Sequence, residues 1–271
     1  MKQNILLTPR GLGAYRKSLR LCFLPVVFGL LTLTGLAHAG IVASSTRLIM
    51  TENQQALSVI LANTNDYPIL VQTWIDEGAP DSTPEKANAP FIPLPAVFRL
   101  QPGAVQGLRV INKQDDTLRA LPADRESVFW LNLYEIPPKN QQVSKADAHV
   151  AMAMNTQMKV FYRPSTLGVA PLWSTVAQQL RFTLIKQGNR YLLRCHNPSP
   201  YHASFGQITL VADGQHFPLT QEMDMMTPPL SQRDYPLNAP INASSPALLR
   251  IEFVLFDDDG TAIKHSATVS R

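Results

Sequence analysis

The sequence predicts an all-β protein that folds as two β-sandwich domains. Short runs of alternating apolar and polar residues recur every 10–15 residues, and turn-forming residues separate them. No segment shows a convincing helical periodicity, and this combination is typical of antiparallel sandwiches of the immunoglobulin type. The chain has 271 residues, and a leader of 39 residues leaves 232. That length suffices for two domains of about 115 residues, each with its own core.

Residues 1–39 have the parts of a secretory signal peptide. Basic residues precede an apolar run at residues 21–35, and Ala37-His38-Ala39 matches an A-x-A cleavage site. A membrane anchor is the alternative, but the run is shorter than the roughly 18 residues that a spanning helix needs. We therefore expect cleavage after Ala39, export from the cytoplasm and no stable membrane insertion.

Removal of the leader changes the charge and the cysteine count. The leader holds five basic residues and no acidic ones, so 19 of the 24 Lys and Arg remain against 20 Asp and Glu. The pI of about 9.1 is therefore largely a property of the leader and does not indicate a nucleic-acid surface. Cys22 leaves with it, so an internal disulfide is excluded. Cys195 follows Y-L-L-R and is predicted to be a buried thiol on a strand.

The first series of predicted strands occupies residues 40–164. Trp74 is predicted to be a large core residue of the strand at residues 69–75. Pro93 and Pro95 indicate that the strand at residues 91–100 lies at the edge of a sheet. Two prolines at residues 137 and 138 end the last run before a polar loop. The predicted strands are residues 41–50, 56–62, 69–75, 91–100, 106–112 and 128–136.

The stretch at residues 149–164 is the most distinctive in the chain. Its period of two extends over about twelve residues, roughly twice the usual strand length, and Lys159 is the single lysine on its less apolar face. A long strand with an apolar face at a sheet edge invites another chain to pair with it. We predict that such pairing is the function of the protein. The apolar face consists of Val150, Met152, Met154, Met158, Val160 and Tyr162.

The second series of predicted strands follows a short linker at residues 165–171 and is again all β. It contains a Met- and Pro-rich loop at residues 223–229, and a D-D-D-G turn at residues 257–260 precedes a last strand. Its other predicted strands are residues 181–186, 191–197, 206–212 and 248–256.

Eight short motifs follow one another in an order that resembles the PapD/FimC-like pilus assembly chaperones of the chaperone–usher pathway. The most specific are L-P-A-D-R-E-S-V-F-W-L-N at residues 121–132 and M-K-V-F-Y-R-P at residues 158–164. His202 departs from the family pattern, which has an aromatic or aliphatic residue there. The other motifs are T-R-L-I (46–49), V-Q-T-W-I-D (71–76), P-F-I-P-L-P (90–95), R-L-Q-P (99–102), I-P-P (136–138) and N-P-S-P-Y (197–201).

The resemblance implies two immunoglobulin-like domains, residues 40–164 and 165–271, arranged in an L with a cleft between them. It implies a periplasmic chaperone that binds, folds and caps pilus or fimbrial subunits by donor-strand complementation. Such a chaperone delivers its subunits to an outer-membrane usher and needs no cofactor. The short loop at residues 137–148 resembles the short-loop subclass of these chaperones, which mostly serves rod-like or tipped pili.

The resemblance also implies a role for each of several residues. Val150, Met152 and Met154 would be donated to the open groove of an incomplete subunit, and the alternative is that all three are ordinary core residues. Methionine suits donation because it is flexible and fits several grooves.

Five charged residues match charged positions of the family. Arg47 and Lys159 match the cleft residues that bind the C-terminal carboxylate of the subunit, and the alternative is two solvated charges. Glu126 and Arg163 match an interdomain salt-bridge network, which would fix the domain angle more than it adds stability. Asp258 matches its third member better than Asp257 or Asp259, because it lies two residues before Gly260.

Two other classes of protein were weighed against a chaperone. An enzyme is not expected, because H-E-x-x-H, G-x-S-x-G and C-x-x-C motifs are absent. The D-D-D-G turn lacks the spacing and the glutamate of a calcium loop, so no metal site is expected. The second alternative is a secreted all-β structural or adhesin subunit of a surface fibre, which would be a single incomplete domain. The edge strand also predicts self-association of the empty form, as a hypothesis.

Overall fold

The computed structural model of the protein describes residues 40–79, 81–138, 152–188, 190–237 and 249–270. The predicted signal peptide, its cleavage site, Val150 and most of the loop at residues 137–148 lie outside the described residues. Within those ranges, no helix combines the length and the apolar character that a membrane crossing requires. The described chain is dominated by strands, so the all-β prediction is confirmed.

The described part of the first β-sandwich has two sheets whose strand orders are β1-β3-β7-β5 and β2-β9-β8-β4-β6. Its core is apolar, and Met50, Val59, Leu108 and Val160 are completely buried in it. The alternating burial along most of these strands explains why a period of two predicted them. The strands are β1 (Ile41–Ala43), β2 (Arg47–Thr51), β3 (Ala56–Asn63), β4 (Ile69–Asp76), β5 (Phe91–Leu94), β6 (Val97–Leu100), β7 (Val105–Asn112), β8 (Ser127–Ile136) and β9 (Met154–Arg163).

Two predicted strands are each divided between the two sheets, so the prediction of continuous strands was wrong there. Residues 41–50 form β1 and β2, and residues 91–100 form β5 and β6, with a cis peptide bond between Leu94 and Pro95. In each case the chain crosses from one sheet to the other, and local alternation cannot detect such a crossing. The predicted edge position is confirmed, since β5 and β6 each end their sheet.

The second β-sandwich has its own apolar core, in which Leu193, Leu210, Tyr235 and Ile251 are completely buried. Its strands follow the order β13-β12-β16-β17-β10-β11-β15, and β14 pairs with β12. The strands are β10 (Arg181–Gln187), β11 (Arg190–Asn197), β12 (Ala203–Ala212), β13 (Gln215–Pro218), β14 (Met226–Thr227), β15 (Ser231–Leu237), β16 (Arg250–Phe256) and β17 (Ala262–Ser270).

The described chain contains two short α-helices, although no segment of the sequence shows a convincing helical periodicity. They are α1 (Asp116–Arg119) and α2 (Trp173–Gln179), and a 3₁₀ turn spans Ser165–Leu167. Asp115 caps α1 because its carboxylate accepts from the backbone N–H groups of Thr117 and Leu118. Neither helix exceeds two turns, so neither is long enough to produce a recognisable helical periodicity.

Cys195 is completely buried in the second core, as predicted. Burial raises the pKa of its thiol to about 12, although a hydrogen bond with Thr227 opposes the shift. We expect no reaction with iodoacetamide at pH 8 in the native state and rapid reaction in urea, measured by mass spectrometry. In a Cys195→Ala/Val169→Cys variant, the thiol at the exposed position 169 should react in the native state. Rapid native labelling of Cys195 would contradict the burial.

The same shift gives the stability a defined pH dependence. The unfolded thiol ionises near its ordinary value of 9.0, whereas the folded thiol stays protonated to about 12. Its contribution to stability is therefore complete below pH 9.0 and is lost as the pH rises towards about 12. The Cys195→Ala variant should lack this part of the loss of stability at alkaline pH.

Candidate functional site

Strand β9 has a neighbour on one side throughout and on the other side for only half of its length. It pairs with β8 from Met154 to Tyr162, but it pairs with β2 only from Lys159 to Arg163. Within the described ranges, no strand pairs with Met154–Met158 on the β2 side. An open backbone edge therefore lies directly in line with β2, whose first residue is Arg47.

The predicted apolar face of this strand divides into a buried half and an exposed half. Met158, Val160 and Tyr162 are buried in the first core, whereas Met152 and Met154 are 71% and 47% exposed. The alternative that these two methionines are ordinary core residues is therefore wrong. Met154 begins β9 and continues its core-facing row beyond the end of the core, beside the open edge, and Met152 directly precedes the strand.

Two exposed amides on the opposite face of β9 bind a buried amide of the neighbouring strand β8. Asn155 and Gln157 donate to Oδ1 of Asn132 over 2.9 Å and 2.8 Å. Asn132 in turn donates to Asp76 over 2.7 Å, and the Trp74 indole donates to the same carboxylate oxygen over 3.0 Å. These bonds hold the register of the strand beside its open edge. The sequence signal for this network is Asn132, a polar residue within an otherwise apolar strand.

Arg47 and Lys159 lie side by side at the end of the open edge. They are directly paired in the parallel ladder of β2 and β9, so their side chains project from the same face of the sheet. Lys159 contacts Asp224 of the second sandwich, with 2.6 Å between Nζ and Oδ1. The structure thus brings the two predicted cations together.

The Arg47 guanidinium is held between aromatic rings. Its central carbon lies 5.8 Å from the ring centre of Phe161 and 5.2 Å from that of Phe256. Burial lowers the pKa of Arg47 below its ordinary value, and the carboxylates of Asp258 and Asp257 oppose the shift. Its buried Nε has no hydrogen-bond partner among the described residues. A guanidinium that is stacked on aromatic rings and lies beside Lys159 is suited to an anionic ligand.

Arg163 binds one carboxylate in its own sandwich and one in the second sandwich. Its Nε donates to Glu126 over 2.8 Å, and its two terminal nitrogens donate to both oxygens of Asp258 over 2.7 Å and 2.6 Å. The side chains of Arg163 and Glu126 are 7% and 1% exposed. Burial acts to lower the pKa of Arg163, but the bonds and charges of Asp258 and Glu126 raise it above its ordinary value. The three predicted network residues therefore meet in a largely buried ion triad.

The turn after β16 decides which of its three aspartates reaches Arg163. The Asp257 carboxylate accepts from the backbone N–H groups of Asp259 and Thr261 and is used within the turn. Gly260 has a φ of +81°, and a Cβ there would overlap with Thr46 Oγ1 of the first sandwich. The turn therefore needs glycine at this close approach and presents Asp258 to Arg163.

His202, the departure from the family pattern, contacts the Glu126 carboxylate of the same triad. Its backbone N–H donates to Oε2 of Glu126 over 2.9 Å, and its Nδ1 lies 2.8 Å from the same oxygen. The imidazole ring also packs on Phe161, with 5.5 Å between ring centres. Histidine therefore keeps the ring packing of an aromatic residue and adds a polar partner for a buried carboxylate.

A cavity of about 780 Å³ lies along β2, the linker and the turn after β16. Arg47, Arg163 and Asp258 line it, so it borders both the cation pair and the ion triad. Within the described ranges, no group of three or more His, Cys, Asp or Glu side chains is placed to hold a metal ion.

Comparisons with known proteins agree with this architecture. Residues 40–168 match the model "Pili and flagellar-assembly chaperone, PapD N-terminal domain", and residues 175–267 match "Pili assembly chaperone PapD, C-terminal domain". The chain is 31% identical to the chaperone protein FimB/FhaD of Bordetella pertussis over 89% of this chain and 93% of that protein. It is 32% identical to the probable fimbrial chaperone YadV of Escherichia coli over 84% of this chain and 89% of that protein.

A solved structure extends the match to three dimensions. The crystal structure of the YadV chaperone aligns with a TM-score of 0.68 and 30% identity, over 85% of this chain and all of that chain. The two family models together span both β-sandwiches, and the predicted fold class and family resemblance are confirmed. The chain therefore belongs to the PapD family of pili assembly chaperones.

Proposed function

We propose that this protein is a periplasmic chaperone that binds, folds and caps pilus subunits by donor-strand complementation and delivers them to an outer-membrane usher. Family membership supports pilus assembly as the process. The single observation that carries the mechanism is the open edge of β9 at Met154–Met158, beside two exposed methionines. In strand addition, an open edge provides the backbone hydrogen bonds, and alternate side chains provide the specificity.

The position of β2 determines how far an added strand can extend. A strand that pairs with the open edge lies in line with β2, so it must end before Arg47. If it runs parallel to β9, as β2 does, its C-terminal end points at Arg47 and Lys159. A terminal carboxylate can then receive charge-assisted hydrogen bonds from both cations. We propose that this anchor fixes the register of the subunit strand.

Met152, Met154 and Val150 would supply the donated side chains. The two described methionines are exposed at the start of β9, and neither is part of the first core. A subunit that lacks a strand would cover them with its own open groove. Removal of their apolar surface from water would contribute roughly 1.5–3 kcal/mol for each fully buried side chain.

We further propose the division into a leader at residues 1–39, a donor-strand domain at residues 40–164 and a second domain at residues 165–271. The separate apolar cores of the two sandwiches support the division. The ion triad of Glu126, Arg163 and Asp258 would hold the domains in the proposed L and keep the cleft open. The alternative of a fibre subunit is less well supported, because such a subunit would be a single incomplete sandwich.

Co-expression with a candidate pilus subunit in the periplasm tests the proposal. The wild-type chaperone should co-purify with the subunit as a soluble complex. A Met152→Asp/Met154→Asp variant should lose the subunit, because two charges would enter an apolar groove. The matched control is Val169→Asp/Leu172→Asp, which adds the same charges at positions that are 88% and 74% exposed, and it should retain the subunit.

Either of two results would contradict the proposal. A wild-type protein that never retains a pilus subunit would argue against the chaperone function. A donor-strand variant that retains the subunit as well as the wild type does would show that another surface binds it.

A further inference from the structure

Lys159 already holds a carboxylate, and that carboxylate belongs to the same chain. Asp224, between β13 and β14 of the second sandwich, places Oδ1 2.6 Å from the Lys159 ammonium. We propose that Asp224 is an internal substitute for the ligand, which occupies Lys159 in the empty protein and is displaced by the terminal carboxylate of the subunit. This inference rests on the proposed function and concerns the regulation of the same site.

The ion pair between Lys159 and Asp224 is accessible to solvent, so a ligand can replace Asp224. The Lys159 and Asp224 side chains are 23% and 36% exposed, whereas those of Arg163 and Asp258, the other interdomain pair, are 7% and 26% exposed. Ion pairs with access to solvent contribute little net free energy, because water and salt screen them. Lys159 and Asp224 also share one contact, whereas Arg163 makes three hydrogen bonds to its two carboxylates. The contact between Lys159 and Asp224 is therefore the interdomain ion pair that a ligand can replace at low cost.

Asp224 also lies near a second cation, Arg233. Nη1 of Arg233 lies 3.5 Å from the other Asp224 oxygen. That guanidinium is held in place, because Nη2 contacts Glu222 over 2.7 Å and Nη1 donates to the Met226 carbonyl over 2.9 Å. Displacement from Lys159 therefore leaves Asp224 beside a fixed positive charge. The carboxylate changes partner and is not left unpaired.

Because a ligand must compete with Asp224 for Lys159, a charged ligand group is favoured over a neutral one. A peptide that ends in a carboxylate offers Lys159 the same type of partner as Asp224 and adds an interaction with the Arg47 guanidinium, which lies beside Lys159 in the strand ladder. A peptide that ends in a neutral amide offers no charge, so Lys159 keeps Asp224. The Asp224 carboxylate would thus lower the affinity for every ligand that uses Lys159 and would favour a free chain terminus.

The test uses the mature protein and a synthetic peptide that carries the C-terminal strand of a candidate pilus subunit, made as the free acid and as the amide. Dissociation constants are measured by fluorescence anisotropy at low salt. Asp224→Asn, which keeps the shape and removes the charge, should bind the free-acid peptide about 2- to 10-fold more tightly than the wild type. The affinity for the amide should not change.

The matched control is Asp234→Asn. Asp234 lies in the same sandwich, is 33% exposed and pairs with Arg194 over 2.6 Å, but it does not contact Lys159. This variant should bind both peptides as the wild type does. Equal or weaker binding of the free acid by Asp224→Asn would overturn the inference while leaving the proposed function intact. If the wild type shows no preference for the acid over the amide, the carboxylate anchor fails, and the inference fails with it.

Discussion

Replacing Arg163 with methionine is expected to lower the free energy of unfolding by about 3–5 kcal/mol. The guanidinium is 7% exposed and makes hydrogen bonds with two carboxylates, of which Glu126 is 1% exposed. Methionine fills a similar volume but leaves the buried Glu126 charge without its cation. Urea denaturation of the mature protein, followed by tryptophan fluorescence, gives the change in midpoint and slope.

Two further variants separate the buried charge from general disruption. Glu126→Gln in the Arg163→Met background should recover part of the loss, since a neutral amide costs less to bury than an unpaired carboxylate. Arg194→Met removes a solvent-accessible ion pair with Asp234 and should leave the midpoint nearly unchanged. A loss for Arg163→Met as small as that for Arg194→Met would show that the triad does not hold the domains together.

The double variant Arg47→Ala/Lys159→Ala is expected to lose most of the affinity for a subunit strand with a free C-terminus. A hydrogen bond to a charged group contributes about 1.5–3 kcal/mol, and 1.4 kcal/mol is about a factor of ten in the dissociation constant. Each single variant should therefore weaken binding by roughly 10- to 100-fold. The anisotropy assay with the free-acid peptide measures the loss, which should shrink as salt is raised.

The control for this pair is Arg99→Ala/Lys113→Ala, which removes two exposed cations from the same sandwich. It should bind the peptide as the wild type does. If Arg47→Ala/Lys159→Ala also binds normally and folds normally, the backbone of β9 carries recognition alone. The assignment of these two cations as the carboxylate anchor would then be wrong.

Strand periodicity and the family motifs determined much of this protein before any contact was known. Alternation along the chain predicted the all-β class and the buried row of Met158, Val160 and Tyr162, because side chains of a strand point alternately to its two faces. The motifs indicated Glu126 and Arg163 as network members, and the M-K-V-F-Y-R-P motif drew attention to Lys159. These features depend on residues that are close in sequence, so a local pattern is sufficient to find them.

Only the tertiary structure revealed the distant contacts that no family motif indicated. The open edge beside Met154 exists because β2 begins at Arg47, after the chain has crossed between sheets. Lys159 and Asp224 are 65 positions apart, and Glu126 and His202 are 76 apart. No local periodicity encodes such pairs, since their contacts depend on how the two sandwiches fold and pack. The sequence therefore identified the cations of the site, whereas the fold alone revealed the carboxylate that Lys159 holds.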